Sequence, residues 1–271
     1  MRPRLLLLAL VLAVVGVPLP ATTATADPAA TAGRGAGDYA LPPAADRWDY
    51  QIGGTRTVPG SVDVVIRDRE APPVGRDGVY DVCYVNAFQT QPNEKQFWKK
   101  RWGLVLKKNG RAVVDSGWGE WLLDIRTPAK RQRLARIVGG WMSGCAEAGY
   151  DAVEPDNLDS YLRSKGLISQ QQTNAFVRLL AERAHGSGLA IAQKNRAGWN
   201  GKRFGLDFAV AEECGQYDEC GAYRRVYGAR VLAVEYRDPA FRTACREWDG
   251  RIALVRRDLA VSPRGVRRFC P

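Results

Sequence analysis

Short apolar runs recur along the chain from Trp48 to Asp258, and longer segments with helical spacing lie between them. Nine runs read as strands: "WDYQIGG" (48–54), "SVDVVIRD" (61–68), "YDVCYVNAF" (80–88), "WLLDI" (121–125), "AVEPDN" (152–157), "LAIAQKN" (189–195), "FAVAEEC" (208–214), "VLAVEYRD" (231–238) and "RIALVRRD" (251–258). Several are rich in Val, Ile and Ala without strict alternation, the pattern of parallel strands covered on both faces. One helix is predicted from Thr127 as N-cap, with Pro128 in the first turn. Leu134, Ile137, Val138, Trp141 and Cys145 fall on one face, and Gly149 closes it. A second starts at Ser169, carries Phe176, Val177, Leu180, Ala181 and Ala184 as its stripe, and ends at Gly186. Strand–helix–strand repetition predicts an α/β fold with a parallel sheet. Roughly 225 residues without a Gly/Ser linker or an internal repeat suit one (β/α)8 TIM-type barrel over residues 46–271. Nine candidates compete for eight places in such a barrel, and "WLLDI" is the weakest by length.

The N-terminus changes the picture of where the chain works. A basic start (Met1–Arg4), an apolar run (Leu5–Val17) and a small-x-small site (Ala24-Thr25-Ala26) read as a secretory signal peptide over residues 1–26. No later apolar run is long enough for a membrane span. Residues 27–45 are mostly Ala, Gly, Pro and Thr and read as a flexible leader. The protein is therefore expected to be secreted, extracellular or cell-wall associated. In an exported chain, six cysteines imply disulfides. Six cysteines allow 15 pairings; Cys214 and Cys220 flank a short loop and close most easily, and Cys245 with Cys270 would pin the C-terminus. No CxxC or Cys/His spacing suggests a metal, and the chain has a single histidine.

The formal charge of +11 becomes +9 once Arg2 and Arg4 leave with the signal peptide. Spread-out basic residues, with runs such as "KRQRLAR" and "RGVRR", make a solubilising surface with weak attraction to an anionic cell wall. Nucleic acid is not an expected partner, because no recognition motif accompanies the charge.

Charged or amide residues recur where the apolar strands stop: Asp68, Asn86, Asp124, Asp156, Asn195, Glu212 and Glu235. In parallel α/β folds the chemistry sits at the strands' C-terminal ends, and burying several carboxylates in one mouth costs stability unless they are bonded or used. Within "AVEPDN" the period of two puts Ala152, Glu154 and Asp156 on one face. In "FAVAEEC" periodicity leaves open whether Glu212 or Glu213 points inward. Blander roles stand beside these: a helix N-cap for Asp159, an ion pair of Glu154 with Lys194, and a solvated rim for Glu213.

A Ser–His–Asp or Cys–His couple needs a histidine beside the nucleophile. His185 instead ends a helix just before a strand, at the wrong end of a barrel, where capping or packing is the expected role. There is no GxSxG, GxGxxG or Walker loop, and no cofactor is implied. What remains is carboxylate chemistry. With Trp48, Tyr50, Tyr84, Trp118, Trp121, Tyr161 and Tyr236 near strand ends to stack on sugars or to fill the core, this points to glycoside hydrolysis.

The segments "VEPDNLDSY", "LAERAHGSGLAIAQKN", "FAVAEECGQYDEC" and "VLAVEYRD", in that order, resemble the endo-α-1,4-polygalactosaminidase family, glycoside hydrolase family 114. "WDYQIGG", "VDVVIRD", "VCYVNAF" and "EWLLDIR" fit its N-terminal half. The resemblance spans roughly residues 47–260. It implies a (β/α)8 barrel acting on an α-1,4-linked, partly N-acetylated galactosamine polymer. It also implies Asp156 and Glu212 as the catalytic carboxylates, Asp156 as nucleophile or base and Glu212 as general acid, or the reverse. Asp68, Tyr84, Glu154, Lys194, Asn195, Glu235 and Tyr236 are the expected substrate-binding positions. Two departures stand out: Ala211 where the family often has Asn, and an altered turn within "VCYVNAFQTQPNEKQFW". Alternatives are a barrel that binds polysaccharide without cleaving it, or a glycosidase acting on another amino sugar or an α-galactoside. A cationic polymer would be repelled at long range by a chain of charge +9.

Overall fold

The computed structural model describes residues 38–44 and 47–271. The expected signal peptide (residues 1–26) and most of the expected leader (27–45) lie outside the described residues. Eight parallel strands form the barrel: β1 (Trp48–Gln51), β2 (Val64–Asp68), β3 (Tyr80–Asn86), β4 (Ala152–Asp156), β5 (Ala190–Lys194), β6 (Phe208–Glu212), β7 (Val231–Glu235) and β8 (Ala253–Arg257). They are hydrogen-bonded in that order, and β9 (Arg267–Arg268) pairs antiparallel with β8 to end a nearly closed sheet. "WLLDI", the weakest of the nine candidates, contributes no barrel strand. Glu120–Trp121 instead pairs with Val114–Asp115 in a small hairpin, within the long connection after β3 that also carries the short helix α1 (Lys95–Lys99).

Alternation sorts the side chains into layers. Trp48, Tyr50, Val64, Ile66, Val82, Phe208 and Val210 fill the interior, with Ala152, Ala190 and Ala192 leaving room for the large rings. The opposite faces of the central strands (Val85, Val153, Ile191) pack on α2 (Pro128–Ala148) and α3 (Gln170–Gly186) through Leu134, Val138, Phe176 and Leu180. Both helices start and stop as their end signals predict. Thr127 Oγ1 accepts from Lys130 N, Ser169 and Gln172 form a capping box, and Gly149 takes a left-handed φ of 96°. Ala209, Ala233 and Leu254 pack on α4 (Cys220–Tyr227) and α5 (Asp238–Trp248). The disulfides are Cys83–Cys145, Cys214–Cys220 and Cys245–Cys270.

No helix follows β1 or β2. Apart from Val65, the outward residues of those strands (Asp49, Gln51 and Arg67) are polar yet buried, and they satisfy one another. Gln51 Nε2 donates to Asp49 (2.8 Å) and Arg67 Nε to Gln51 (3.0 Å), while Arg257 Nη1 (3.1 Å) and Arg267 Nη1 (2.5 Å) both reach Asp49. This wall joins β1 to the β8–β9 end and stands where a helix would otherwise seal the seam.

Residues 38–44, part of the stretch whose composition predicts a flexible leader, lie across the N-terminal face of the barrel. Tyr39 stacks on His185 (4.4 Å between centroids), and its hydroxyl donates to Asp207; Tyr80 Oη donates to Ala40 O and Arg230 Nε to Pro42 O. His185 bonds Asp207 at 2.9 Å on this same face, in the packing role expected of it.

Asp49 and Arg257 are both fully buried, and without Asp49 the Arg257 guanidinium keeps only the longer contact to Asp258, at 3.7 Å, as an acidic partner. Asp49→Ala is expected to cost about 3–5 kcal/mol in urea unfolding. A loss below about 1 kcal/mol would mean the wall does not hold the seam.

Candidate active site

The inward parity of β4, β5, β6 and β7 delivers Glu154 and Asp156, Lys194, Glu212 and Tyr236 to one end of the barrel. The small Ala152 and Ala192 below them leave space for these long side chains. Lys194 Nζ is the centre. It lies 2.9 Å from Glu154 Oε1, 3.2 Å from Asp156 Oδ1 and 3.5 Å from Glu212 Oε2, and it donates to Tyr50 Oη at 3.0 Å. The rings of Tyr50 and Tyr84 flank the ammonium at 5.5 and 5.7 Å.

Each carboxylate has its own setting. Asp156 accepts from Tyr84 Oη (2.8 Å) and from Asn157 N (2.7 Å). Burial alone would raise its pKa, but Lys194 and these two donors bring it below the usual carboxylate range, so it stays ionised. Glu212 accepts from Tyr236 Oη (2.5 Å) and Asn195 Nδ2 (3.0 Å), while Asn195 Oδ1 accepts from the Glu212 amide (2.9 Å). Asn195 thus clamps Glu212 at two points, from a left-handed φ of 51° that an asparagine tolerates well. Glu154 is sealed below the cavity, with Tyr50 Oη on Oε1 and no partner on Oε2. Burial, opposed by Lys194, lifts its pKa to about 7. Burial alone would lower the pKa of Lys194, but the surrounding carboxylates hold it well above its usual value. One ammonium cannot keep three acids ionised, and the most deeply buried acid is the one that takes up a proton.

Two connected hollows open above this cluster. An inner cavity of about 270 Å³ has Tyr84, Asp156, Lys194 and Tyr236 at its floor and Trp118 and Leu259 at its rim. A larger one, about 800 Å³, is lined by Trp199, Glu213, Tyr217 and Glu219. Asp159, Asn195 and Glu212 line both, so Glu212 stands on the ridge between them.

The other expected site positions are placed differently. Asp68 shares the inward parity of β2, but its carboxylate is occupied by Gln91 Nε2 (2.8 Å) and Glu70 N (2.9 Å), and it lines neither hollow. Glu235 has the outward parity of β7. It sits behind the barrel wall and accepts from Gly215 N at 2.6 Å, and burial lifts its pKa to about 7. Asp124 binds Arg126 and Lys130 at the start of α2. Asp159 gives no side-chain cap and instead pairs with Arg163 at 2.7 Å. Glu213 turns away at a φ of 57° and lines only the larger hollow. Ala211 faces the outer layer with Cys214 and Tyr223, so an amide there would point away from the cavity; holding Glu212 falls to Asn195. Position-by-position reading missed Tyr50 as a site residue, although its parity with Trp48 marks it as inward. It also missed Asp115, Glu120, Asn157 and Arg163, which lie on the inserted hairpin or in the loop and short turn after β4, where no strand period exists.

A barrel mouth built from carboxylates on the two strands that flank Lys194, with sugar-sized aromatic surfaces and the only histidine at the far end, is that of a glycosidase. The chain belongs to glycoside-hydrolase family GH114, whose family model matches residues 28–271, and it is a glycoside hydrolase. The crystal structure of Aspergillus fumigatus Ega3 in complex with galactosamine is similar, with a TM-score of 0.69 at 22% identity over 86% of this chain and 98% of that one. The glycoside hydrolase domain of PelA from Pseudomonas aeruginosa gives 0.54 at 14% identity over 81% and 96%. Both likenesses are of fold. No curated protein matches the chain.

The Glu154 assignment has a pH signature. Its ordinary pKa of 4.5 rises to about 7 on folding, so the folded chain keeps a proton that the unfolded chain releases. That contribution to stability is complete below about pH 4.5 and is lost as pH climbs through about 7. Glu154→Gln should therefore gain stability relative to the parent between about pH 5 and 8, read from urea midpoints. Parallel curves for the two proteins would mean that Glu154 remains ionised.

Proposed function

We propose that the protein is a secreted, endo-acting glycoside hydrolase that cleaves α-1,4-linked galactosamine polysaccharide, with Asp156 and Glu212 as its working carboxylates. The observation that carries this reading is the sign of the mouth. The full sequence is at +11, or +9 without Arg2 and Arg4, yet the inner cavity presents Asp115, Glu120, Asp156, Asp159 and Glu212 against only Arg163 and Lys194. The larger hollow adds Glu213 and Glu219 against Arg196. Screening limits the repulsion from the distant basic surface to roughly 8–10 Å, so an ammonium-bearing polymer meets the local acidic field. Ega3, similar in fold, was crystallised with galactosamine. Open hollows on both sides of Glu212 suit a chain bound across the cleft rather than by its end.

In this mechanism Glu212 protonates the glycosidic oxygen and Asp156, held ionised by Lys194 and Tyr84, attacks the anomeric carbon. The resulting glycosyl ester is hydrolysed by water that Glu212 then deprotonates. Asp156 Oδ1 and Glu212 Oε2 both lie on Lys194, which limits their separation to at most the sum of the two legs, about 6.7 Å. That ceiling sits at the bottom of the range of about 6.5–9.5 Å used with an interposed water, which favours retention. Secretion is supported by the three disulfides and by the N-terminal sequence pattern. Exposed Arg133 and Arg136 on α2 would add weak, salt-sensitive attraction to an anionic cell wall.

Incubation with deacetylated galactosaminan should release oligosaccharides whose first-formed reducing ends are α by proton NMR. Asp156→Asn and Glu212→Gln should each lower the rate by about 10²–10⁴. Undiminished release by either variant removes that residue from the mechanism, and first-formed β ends would replace retention with inversion.

A further inference from the structure

Five carboxylates line the inner cavity, and four of them have a cation. Asp156 and Glu212 lie on Lys194 at 3.2 and 3.5 Å, and Asp115 and Asp159 each lie 2.7 Å from Arg163. Glu120 is the exception: among the described residues no Lys, Arg or His lies within ion-pair distance of it. It is 9% exposed, and its one hydrogen bond is from Asn86 Nδ2 to Oε2 at 2.9 Å. Asn86 is the register neighbour of Asp156 on the adjoining strand, which brings Glu120 to the Asp156 side of the cavity.

The fold goes out of its way to put it there. Glu120 is on the small hairpin, directly across from Asp115. Two carboxylates opposite one another destabilise a strand pair. Asp115 is relieved by Arg163, by Gln89 Nε2 (3.2 Å) and by Gly117 N (3.0 Å), whereas Glu120 is not. Burial and the nearby charges of Asp156 and Asp115, against the Asn86 bond, push its pKa to about 7. Two residues earlier the hairpin turn presents Trp118, 62% exposed, at the rim of the same cavity.

We propose that Glu120 is a specificity residue that receives the free 2-ammonium group of the sugar bound against Asp156, with Trp118 covering that unit from the hairpin tip. This rests on the reading of the protein as an amino-sugar hydrolase and names which form of the sugar it takes. The amino group sits on the carbon next to the anomeric carbon, so a carboxylate beside Asp156 is placed to meet it. An ammonium supplies the cation that Glu120 lacks and donates directly to its carboxylate. An N-acetyl group brings no charge and sets a methyl near a desolvated carboxylate, leaving Glu120 unpaired. A divalent ion suits the place less well. The described residues hold one group of three close metal-type donors, Cys214, Cys220 and Glu235, which lies elsewhere and has its two sulfurs joined in a disulfide.

The test compares an α-1,4-galactosamine oligomer with its chemically N-acetylated form, using the parent and Glu120→Gln. The parent should prefer the free-amine oligomer at least tenfold in kcat/KM. Glu120→Gln should lower kcat/KM on the free-amine oligomer by about ten- to hundredfold and shrink the preference with it. An unchanged preference in a folded, active Glu120→Gln protein overturns the proposal and leaves the amino-sugar reading intact. A parent that cleaves neither oligomer overturns both. If Glu120→Gln does not fold, Glu120→Asp, which draws the carboxylate back by one methylene, takes its place: an unchanged free-amine preference overturns the assignment, and a reduced one upholds it.

Discussion

One buried ammonium organises the mouth of this barrel. Lys194 is 2% exposed and meets three carboxylates and a tyrosine. Its desolvation is tolerable only because those acids surround it, and their proximity is tolerable only because it is there. The unequal burial of the acids then divides their roles. Glu154, sealed beneath, becomes the neutral one; Asp156, with Tyr84 and the Asn157 amide, remains charged; Glu212, held by Asn195 and Tyr236, faces the open ridge. Different ionisation behaviour follows from depth and donors, not from residue type.

Polar residues are buried at two places for different reasons. Around Lys194 they are concentrated inward, at the C-terminal ends of the central strands. At the seam they face outward, where β1 and β2 lack covering helices and Asp49, Gln51, Arg67 and Arg257 replace helix packing with a closed hydrogen-bond network. The first set leaves an uncompensated carboxylate at the cavity wall. The second pairs its buried carboxylate, Asp49, with both Arg257 and Arg267, as a structural network should.

Much of this was legible because the strand period is two. Ala152, Glu154 and Asp156 could be placed on one inward face from "AVEPDN" alone, and both long helices were bounded by their caps. Strand ends taken without their tertiary partners gather Asp68, Asp124 and Glu235 into a mouth they do not line. Glu235 has outward parity, Asp68 is tied to Gln91 above its strand, and Asp124 serves α2. Periodicity was silent on Glu120 and Trp118, because the hairpin carrying them belongs to a connection that contributes no barrel strand. Their place is set by tertiary contacts such as the Asn86 bond, which no local pattern encodes.

Residues 38–44 are fastened beneath the barrel by Tyr80, Arg230 and Asp207, on the face opposite the carboxylates. Any handle or surface tether grafted just ahead of Tyr39 would therefore hold the protein by its underside. The cleft would stay turned outward, free to meet a polymer too large to diffuse in behind it.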